Sequence, residues 1–192
     1  GQDRRDGLLA YATALHLDNS WRTNVSYSSA QSNTSGTFAL YLENSSSNTF
    51  NVFLASNAAG QAGQLSGSHY NTIDRSTFAA NGNNWVALSI DDSNWNQLGR
   101  SYLYNYNGHG LRLQIDSHHN YVYNSTMVAR ISGGFGAMLS DVDYNDFDAS
   151  VFIAGNGTGL YLTGASNSNI TGRTMTGAGA SGAGARISAS SG

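Results

Sequence analysis

The stretches GHGLRLQIDSHHNYVYNSTM (108–127) and GTGLYLTGASNSNITGRTM (157–175) follow one pattern. In each, a Gly-x-Gly corner precedes an apolar-x-apolar segment, and a polar turn leads to an asparagine and a further apolar residue. Alternating apolar residues predict a strand with one buried face, while glycine and asparagine predict left-handed backbone at the corners. The two stretches therefore predict two turns of one repeating coil.

The same pattern recurs along the chain. The strand starts are expected at Leu15, Leu40, Leu65, Leu88, Leu111, Met138 and Leu160, with an eighth at Ala185. Each of the first seven starts is followed by an asparagine, namely Asn24, Asn48, Asn71, Asn96, Asn120, Asn145 and Asn169. A repeat this short cannot bury its apolar face alone, so neighbouring repeats must stack. The sequence therefore predicts an all-β, single-stranded parallel β-helix of seven to eight coils, with about 24 residues in each.

These lines resemble the right-handed parallel β-helix repeat proteins of the pectin-lyase-like superfamily. The resemblance covers roughly residues 15–190 and implies a right-handed coil, the hand that the strand-crossover rule also predicts. It leaves function open, because that superfamily includes polysaccharide lyases, glycoside hydrolases, phage tailspikes, adhesins and structural proteins. We expect an N-terminal cap or partial coil over 1–14, the β-helix over 15–184 and a C-terminal partial coil over 185–192.

Composition excludes several classes of partner. The 192 residues carry a net charge of −3, and the chain contains no proline or cysteine. All nine basic residues are arginine, and they form no basic run, so no nucleic-acid partner is expected. No apolar stretch approaches the roughly 18 residues of a membrane span. We expect an extracellular, cell-surface or virion-surface location, although the absence of cysteine by itself identifies no compartment.

One motif suggests catalysis. The Gly-His-Gly at 108–110, with the preceding Asp-Asp, is similar to the polygalacturonase-like glycoside hydrolases. The resemblance implies catalytic roles for Asp91, Asp92 and His109, and Asp116 and Asp141 would complete the set. Two carboxylates can hydrolyse a glycosidic bond when one stays protonated and the other activates water.

This resemblance has departures. The family's Arg-Ile-Lys motif cannot exist in a chain without lysine, and Gly-x-Gly is also the corner of the repeat itself. A non-catalytic coil corner is therefore favoured. A glycoside hydrolase or polysaccharide lyase is the alternative.

Acidic residues recur at one position of the coil. The fourth position of the repeat is expected to read Asp18, Glu43, Ser68, Asp91, Gln114, Asp141 and Thr163. A cluster of Asp91, Asp116, Asp141 and Asp143 across three coils could bind calcium through carboxylate oxygens. The alternative is a solvated stripe of turn residues, and it is favoured. No other cofactor is expected, and no set of metal ligands is assigned.

Aromatic side chains are candidates for ligand binding. The outward position of the first strand is expected to read His16, Tyr41, Ser66, Ser89, Arg112, Leu139 and Tyr161. Aromatic faces beside polar donors suit sugar stacking, so Tyr41, Trp95, Arg112 and Tyr161 are predicted to contact a glycan. The same residues would equally suit ladders between coils.

The predicted function is that of an extracellular or surface structural or adhesive module. The 14 residues before Leu15 and the eight from Ala185 onward together amount to about one repeat. Two chains could therefore complete a coil head to tail and form a filament, or the chain could be part of a longer β-helix. A polysaccharide-active enzyme and a phage tailspike-type glycan-binding domain are the alternatives.

Overall fold

The computed structural model describes residues 9–10, 12–180 and 182–188. Within these ranges the regular secondary structure consists of β-strands, and every pairing between named strands is parallel. The strands are β1 (Leu9–Ala10), β2 (Leu15–Asp18), β3 (Asn24–Ser32), β4 (Phe38–Glu43), β5 (Thr49–Asn57), β6 (Gln61–Ser66), β7 (Thr72–Asp74), β8 (Thr77–Ala80), β9 (Val86–Asp91), β10 (Gln97–Gly99), β11 (Tyr102–Asn105), β12 (His109–Gln114), β13 (Tyr121–Tyr123), β14 (Thr126–Ser140), β15 (Asp146–Asp148), β16 (Val151–Thr163), β17 (Asn169–Thr171), β18 (Thr174–Gly177) and β19 (Ala183–Ser188).

Each turn of the chain contributes three strands, called A, B and C here in chain order. Strand A comprises β2, β4, β6, β9, β12, the second halves of β14 and β16, and β19. Strand B comprises the first residues of β3 and β5, then β7, β10, β13, β15 and β17. Strand C comprises the rest of β3 and β5, then β8, β11, the first halves of β14 and β16, and β18. Each strand pairs with its equivalent one turn later, and the fold is a parallel β-solenoid of about seven turns with a spacing of roughly 25 residues. The predicted repeating coil is confirmed.

Columns of equivalent side chains fill the interior. The third position of strand A stacks Leu17, Leu42, Leu65, Ile90, Leu113, Leu139, Leu162 and Ile187. Strand C contributes a second column of Ala30, Ala55, Phe78, Leu103, Met127, Phe152 and Met175. Except near the two ends, these side chains are fully buried, so each turn covers the apolar face of its neighbour.

Two of the eight predicted strand starts are wrong. Leu65 pairs with Leu42 rather than with Leu40, and Gly63 occupies the start position. The glycine fits there because the Phe78 ring fills the space, and a Cβ on Gly63 would lie 2.5 Å from that ring. The sixth start is Ala137 rather than Met138, since Ala137 pairs with Leu111. A slip of one residue reverses the faces of a strand, so Met138 lies on the outer face.

The two predicted columns of strand A shift accordingly. The outward column reads His16, Tyr41, Gln64, Ser89, Arg112, Met138, Tyr161 and Arg186. The fourth-position column reads Asp18, Glu43, Ser66, Asp91, Gln114, Ser140, Thr163 and Ser188. The places predicted for Ser66 and Leu139 in the first column, and for Ser68 and Asp141 in the second, are wrong. Leu139 is in fact fully buried.

Left-handed residues make the corner between strands A and B (the AB corner) and the corner between strands B and C (the BC corner). The AB corner has two such columns, which contain Asn19, Asn44, Gly67, Asp92, Ile115, Asp116, Asp141 and Gly164, and then Arg22, Ser47, Tyr70, Trp95, His119, Tyr144 and Asn167. The BC corner has one column, made by Tyr27, Val52, Arg75, Arg100, Asn124 and Ala149. A left-handed conformation costs most side chains about 1–2 kcal/mol, so other interactions must hold these corners in place.

A buried asparagine ladder holds the AB corner. Its members are Asn48, Asn71, Asn96, Asn120 and Asn145, all fully or almost fully buried. The Oδ1 of each accepts the backbone N–H at the equivalent position of the preceding turn at 2.8–2.9 Å. The prediction of a corner asparagine is wrong at Asn24 and Asn169, which pair with Thr49 and Asp146 on strand B.

Two serine ladders repeat this arrangement. Ser45, Ser68, Ser93 and Ser117 line the AB corner, and Ser76, Ser101, Ser125 and Ser150 line the BC corner. Each hydroxyl accepts a backbone N–H from the preceding turn at 2.9–3.2 Å. Because buried polar groups are costly unless they are paired, these ladders fix the register of successive turns.

The predicted end segments lie partly outside the described residues. Residues 1–8, 11 and 189–192 belong to the predicted N-terminal and C-terminal partial coils and are not described. β1 pairs with strand C of the following turn, and β19 continues strand A. No helix in the described ranges is long and apolar enough to cross a membrane.

Candidate functional site

Three of the predicted catalytic aspartates share the AB corner. Asp92, Asp116 and Asp141 all belong to the first left-handed column, to which the turn of Asp116 contributes one extra residue, Ile115. Despite this proximity, the described residues contain no group of three His, Asp, Glu or Cys side chains that could hold a metal ion. The four-aspartate calcium cluster, which was the less favoured interpretation of these residues, is therefore not assembled in the described part of the chain. Asp143 instead accepts the Ser166 N–H at 2.8 Å through its side chain.

Asp91 is different, because it is almost fully buried at the end of β9. Its carboxylate accepts hydrogen bonds from the Ser89 hydroxyl at 2.6 Å and from the Gln64 amide at 2.9 Å. Burial raises the pKa of Asp91 above its ordinary value, and the hydrogen bond from Ser89 and the Arg112 cation partly offset that rise. The pKa of Asp91 thus shifts toward that of a general acid.

The structure does not bring His109 to these aspartates. His109 begins β12, whereas Gln114, the partner of Asp91, ends it. Five residues of extended strand separate them by about 16 Å. The His109 Nδ1 accepts the backbone N–H of Phe135 at 3.1 Å, and the two rings stack with centroids 5.1 Å apart. The histidine and carboxylate arrangement that the resemblance implied is not gathered around one point.

The predicted glycan-binding residues also lie apart. Tyr41, Arg112 and Tyr161 share the outward column of strand A, but Arg112 is three turns from Tyr41 and two turns from Tyr161. These intervals correspond to about 14 Å and about 10 Å. Tyr161 packs between Phe135 of the preceding turn, with ring centroids 4.9 Å apart, and its column neighbour Arg186, whose guanidinium lies 5.6 Å from the ring centroid.

Trp95 belongs to an aromatic ladder on the AB corner. The rings of Tyr70, Trp95, His119 and Tyr144 stack with centroids 6.4, 4.1 and 5.0 Å apart. Each internal ring has a nearly parallel ring on either side, so its faces are partly covered by its neighbours. Sugars stack on ring faces, so this arrangement favours the ladder alternative for Trp95 over direct stacking on a glycan.

A groove that sequence reasoning missed runs along the corner between strands C and A (the CA corner). The largest of its connected clefts has a volume of about 590 Å³ and contains Tyr102, Tyr106 and Arg130. Adjoining clefts extend it toward Ser56 on one side and toward Arg186 on the other. The outward residues of strand C form its floor over five turns: Ser56, Ala79, Tyr104, Val128 and Ile153. These five turns span about 19 Å.

Charge is distributed unevenly around the coil. Every carboxylate of the described residues lies at the end of strand A, in the AB corner or on strand B: Asp18, Glu43, Asp74, Asp91, Asp92, Asp116, Asp141, Asp143, Asp146 and Asp148. None of the residues that line the groove is acidic, and its charged groups are Arg130 and Arg186. The groove is therefore lined by two arginines and no carboxylate, although the net charge of the chain is −3.

The tyrosines of the groove left a signal in the sequence. In SYLYNYN (101–107), tyrosines alternate with other residues, as expected for the outer face of a strand. Tyr102 and Tyr106 are 43% and 59% exposed, and the rings of Tyr102 and Tyr104 lie 5.6 Å apart. In this stretch the tyrosines recur at every second residue, as expected for one aromatic surface within a turn. The AB ladder instead takes one ring from each turn.

Comparisons with known proteins do not assign the chain to a family. No family model and no curated protein matches it. Among solved structures, a trypsin-treated form of QnrB1, a plasmid-mediated fluoroquinolone resistance protein, is 13% identical, with 85% of this chain and 84% of that chain covered and a TM-score of 0.20. A likeness at this level carries no argument about function.

Proposed function

We propose that the chain is a stiff extracellular or surface module that binds a linear polysaccharide along the CA groove, and so serves an adhesive or structural role. The observation that carries this proposal is the groove itself. It runs parallel to the solenoid axis over five turns, and it offers exposed tyrosines beside the guanidinium of Arg130. Elongated clefts with aromatic surfaces and a few polar groups suit extended sugar chains.

The charge of the groove supports an acidic glycan as the ligand. Arginine pairs with carboxylate or sulfate groups through two parallel hydrogen bonds, and Arg130 and Arg186 meet no carboxylate among the residues lining the groove. The ten described carboxylates on the remaining sides would repel an acidic chain elsewhere. Membership of the right-handed, pectin-lyase-like superfamily is part of the same proposal.

Affinity measurements against neutral, uronic-acid and sulfated oligosaccharides test this function. Arg130→Ala should weaken binding to the acidic ligands about tenfold, because each such contact contributes about 1.5–3 kcal/mol before solvent screening. Arg22→Ala is the matched control, since Arg22 is an exposed arginine on the AB corner. Equal losses in both variants, or no binding of the wild type to any glycan, would contradict the proposal.

Tyrosine variants make the same comparison without changing charge. Tyr106→Ala removes a 59% exposed ring from the groove, and Tyr27→Ala removes a 79% exposed ring from the BC corner. Only the first variant should lose affinity, by roughly fivefold to tenfold. Release of reducing ends or unsaturated sugars from the same panel, abolished by Asp92→Asn, would instead support the enzyme alternative.

End-to-end association is a second candidate function, and one residue favours it. Ile187 occupies the core column next to Leu162, yet Ile187 is 70% exposed whereas Leu162 is 6% exposed. A further coil, supplied by a second copy or by more chain of a longer β-helix, would bury this side chain. Electron microscopy should show longer particles at high concentration for the wild type but not for Ile187→Asp. Ile115→Asp is the control, since Ile115 is 58% exposed on the side of the rod.

A further inference from the structure

One segment of β14 forms a shared wall of the groove. Residues 130–135 carry Arg130 and Ile131 into the largest cleft and Phe135 into the adjoining one, while Ser132 lines both. The pairing of β14 with β16 shifts register on each side of Ser132. Such bulges bend a strand and redirect its side chains, which places the Arg130 guanidinium on the groove.

This segment has no strand pairing with the preceding turn. The pairing with β11 ends at Ala129, and the pairing with β12 begins at Ala137. Between these points His109 supplies the connection to the preceding turn. Its Nδ1 accepts the Phe135 N–H at 3.1 Å, and its ring stacks on the Phe135 ring at 5.1 Å.

We propose that His109 is a positioning residue for the groove and that its protonation releases the 130–135 segment from the preceding turn in mild acid. A neutral imidazole accepts a hydrogen bond at one nitrogen, whereas a protonated imidazole has only donors. Protonated His109 would therefore present a donor to the Phe135 N–H, and the bond would be lost. The effect on ligand binding depends on the proposed glycan-binding function, but the release of the segment does not.

The surroundings of His109 favour the neutral ring at pH 7. Burial lowers the pKa of His109 below its ordinary value of 6.5, and the Arg112 cation on its own strand lowers it further. On β9 the residue opposite is Val86, and the titratable group of that strand, Asp91, lies at its far end. On β14 the stacked residue is Phe135, and the charged group is Arg130.

The AB corner provides a matched control. There, the Nδ1 of His118 accepts the Asp143 N–H at 2.9 Å, which is the same bond between consecutive turns. However, the buried Asn145 of the ladder joins the same two turns beside this bond, since its amide donates to the Ser117 and Asp143 carbonyls and its Oδ1 accepts the Asn120 N–H. Protonation of His118 should therefore leave the local backbone in place, whereas protonation of His109 should not.

Nuclear magnetic resonance on the intact chain tests the proposal without any ligand. Long-range proton–nitrogen spectra at pH 7.5 should show His109 with its proton on Nε2. As the pH falls through the titration of His109, the exchange protection of the Phe135 amide should drop roughly fivefold to tenfold after correction for intrinsic rates, the loss expected for one hydrogen bond. A proton on Nδ1 at pH 7.5, or unchanged protection through the titration, would overturn the proposal.

Substitutions distinguish the effect of His109 from that of His118. His109→Gln supplies an acceptor that does not titrate, so the pH dependence of the Phe135 amide should disappear. His118→Gln should retain that pH dependence. Affinity for dextran sulfate, whose charge is constant over this range, should fall in mild acid for the wild type and for His118→Gln but not for His109→Gln. If no glycan binds at any pH, the exchange result alone decides whether His109 positions the segment.

Discussion

The AB and CA corners both turn the chain from one strand into the next, but they do so in different ways. In the AB corner, left-handed residues precede buried asparagines that bond turn to turn at 2.8–2.9 Å. In the CA corner, the connection varies from turn to turn and β14 and β16 run through it with register shifts. In the regular AB corner, the ladder side chains pair with backbone polar groups, and the outer surface of the corner is uniform. The irregular corner leaves space, and the groove occupies that space.

Because of this difference, the AB corner serves the stability of the fold and the CA corner offers a surface for recognition. Polar ladders need every turn to keep the same register, so their side chains have little freedom to change. Loops on a rigid scaffold can vary without disturbing the core, which is why binding sites concentrate there. The ten carboxylates of the described residues follow the same division, since they occupy the end of strand A, the AB corner and strand B and do not line the groove.

The largest effect is expected from breaking the asparagine ladder. In Asn96→Ala, the Asn71 N–H and the Ser68 carbonyl lose their buried partners. Unfolding in urea should show a loss of about 3–5 kcal/mol, because each unsatisfied buried group costs about 1–3 kcal/mol. Asn107→Ala is the control at the CA corner, where the amide bonds only to Asn81 near the surface. Its expected loss is about 0.5 kcal/mol, and equal losses would show that the two corners do not differ as described.

The fold could be predicted because the same sequence pattern occurs many times along the chain. Stacking needs one apolar pattern in every turn, so a single misplaced start does not hide the fold. The errors at Leu65 and Met138 have local causes. Gly63 holds a core position only because the Phe78 ring, from another strand, fills its volume, and a spacing rule based on leucine could not include that exchange.

A second test uses glycines of β16 in two environments. A Cβ on Gly159 would lie 2.6–2.9 Å from the carbonyls of Gly184, Phe152 and Thr176, where strand A begins. Gly159→Ala should therefore cost about 2–3 kcal/mol through overpacking. A Cβ on Gly155, in the CA corner, would meet its nearest atom at 3.5 Å. Gly155→Ala should change the free energy of unfolding by less than about 0.5 kcal/mol, and a larger cost there would mean that the irregular corner is packed as tightly as the strands.

The candidate site was less predictable than the fold. The Gly-His-Gly motif drew attention to His109, but the motif is the corner of a coil. This histidine and Gln114, the partner of Asp91, lie at opposite ends of a six-residue strand. The groove depends on register shifts in β14 and on which corner each tyrosine faces. Those features arise from the stacking of several turns, so no single repeat contains them. The alternation in SYLYNYN was the only local signal.

The smallest effect is expected at Asp91. Burial raises its pKa in the folded chain above the ordinary value of 3.8, so the folded state binds a proton more readily than the unfolded state. Its contribution to stability is therefore complete below pH 3.8 and is lost as the pH rises through the folded pKa. Asp91→Asn should remove this dependence and raise the free energy of unfolding at pH 7. The control is Asp146→Asn, an exposed strand B residue. A loss of stability in Asp91→Asn at pH 7 would mean that the hydrogen bonds from Gln64 and Ser89 outweigh the cost of burying the charge.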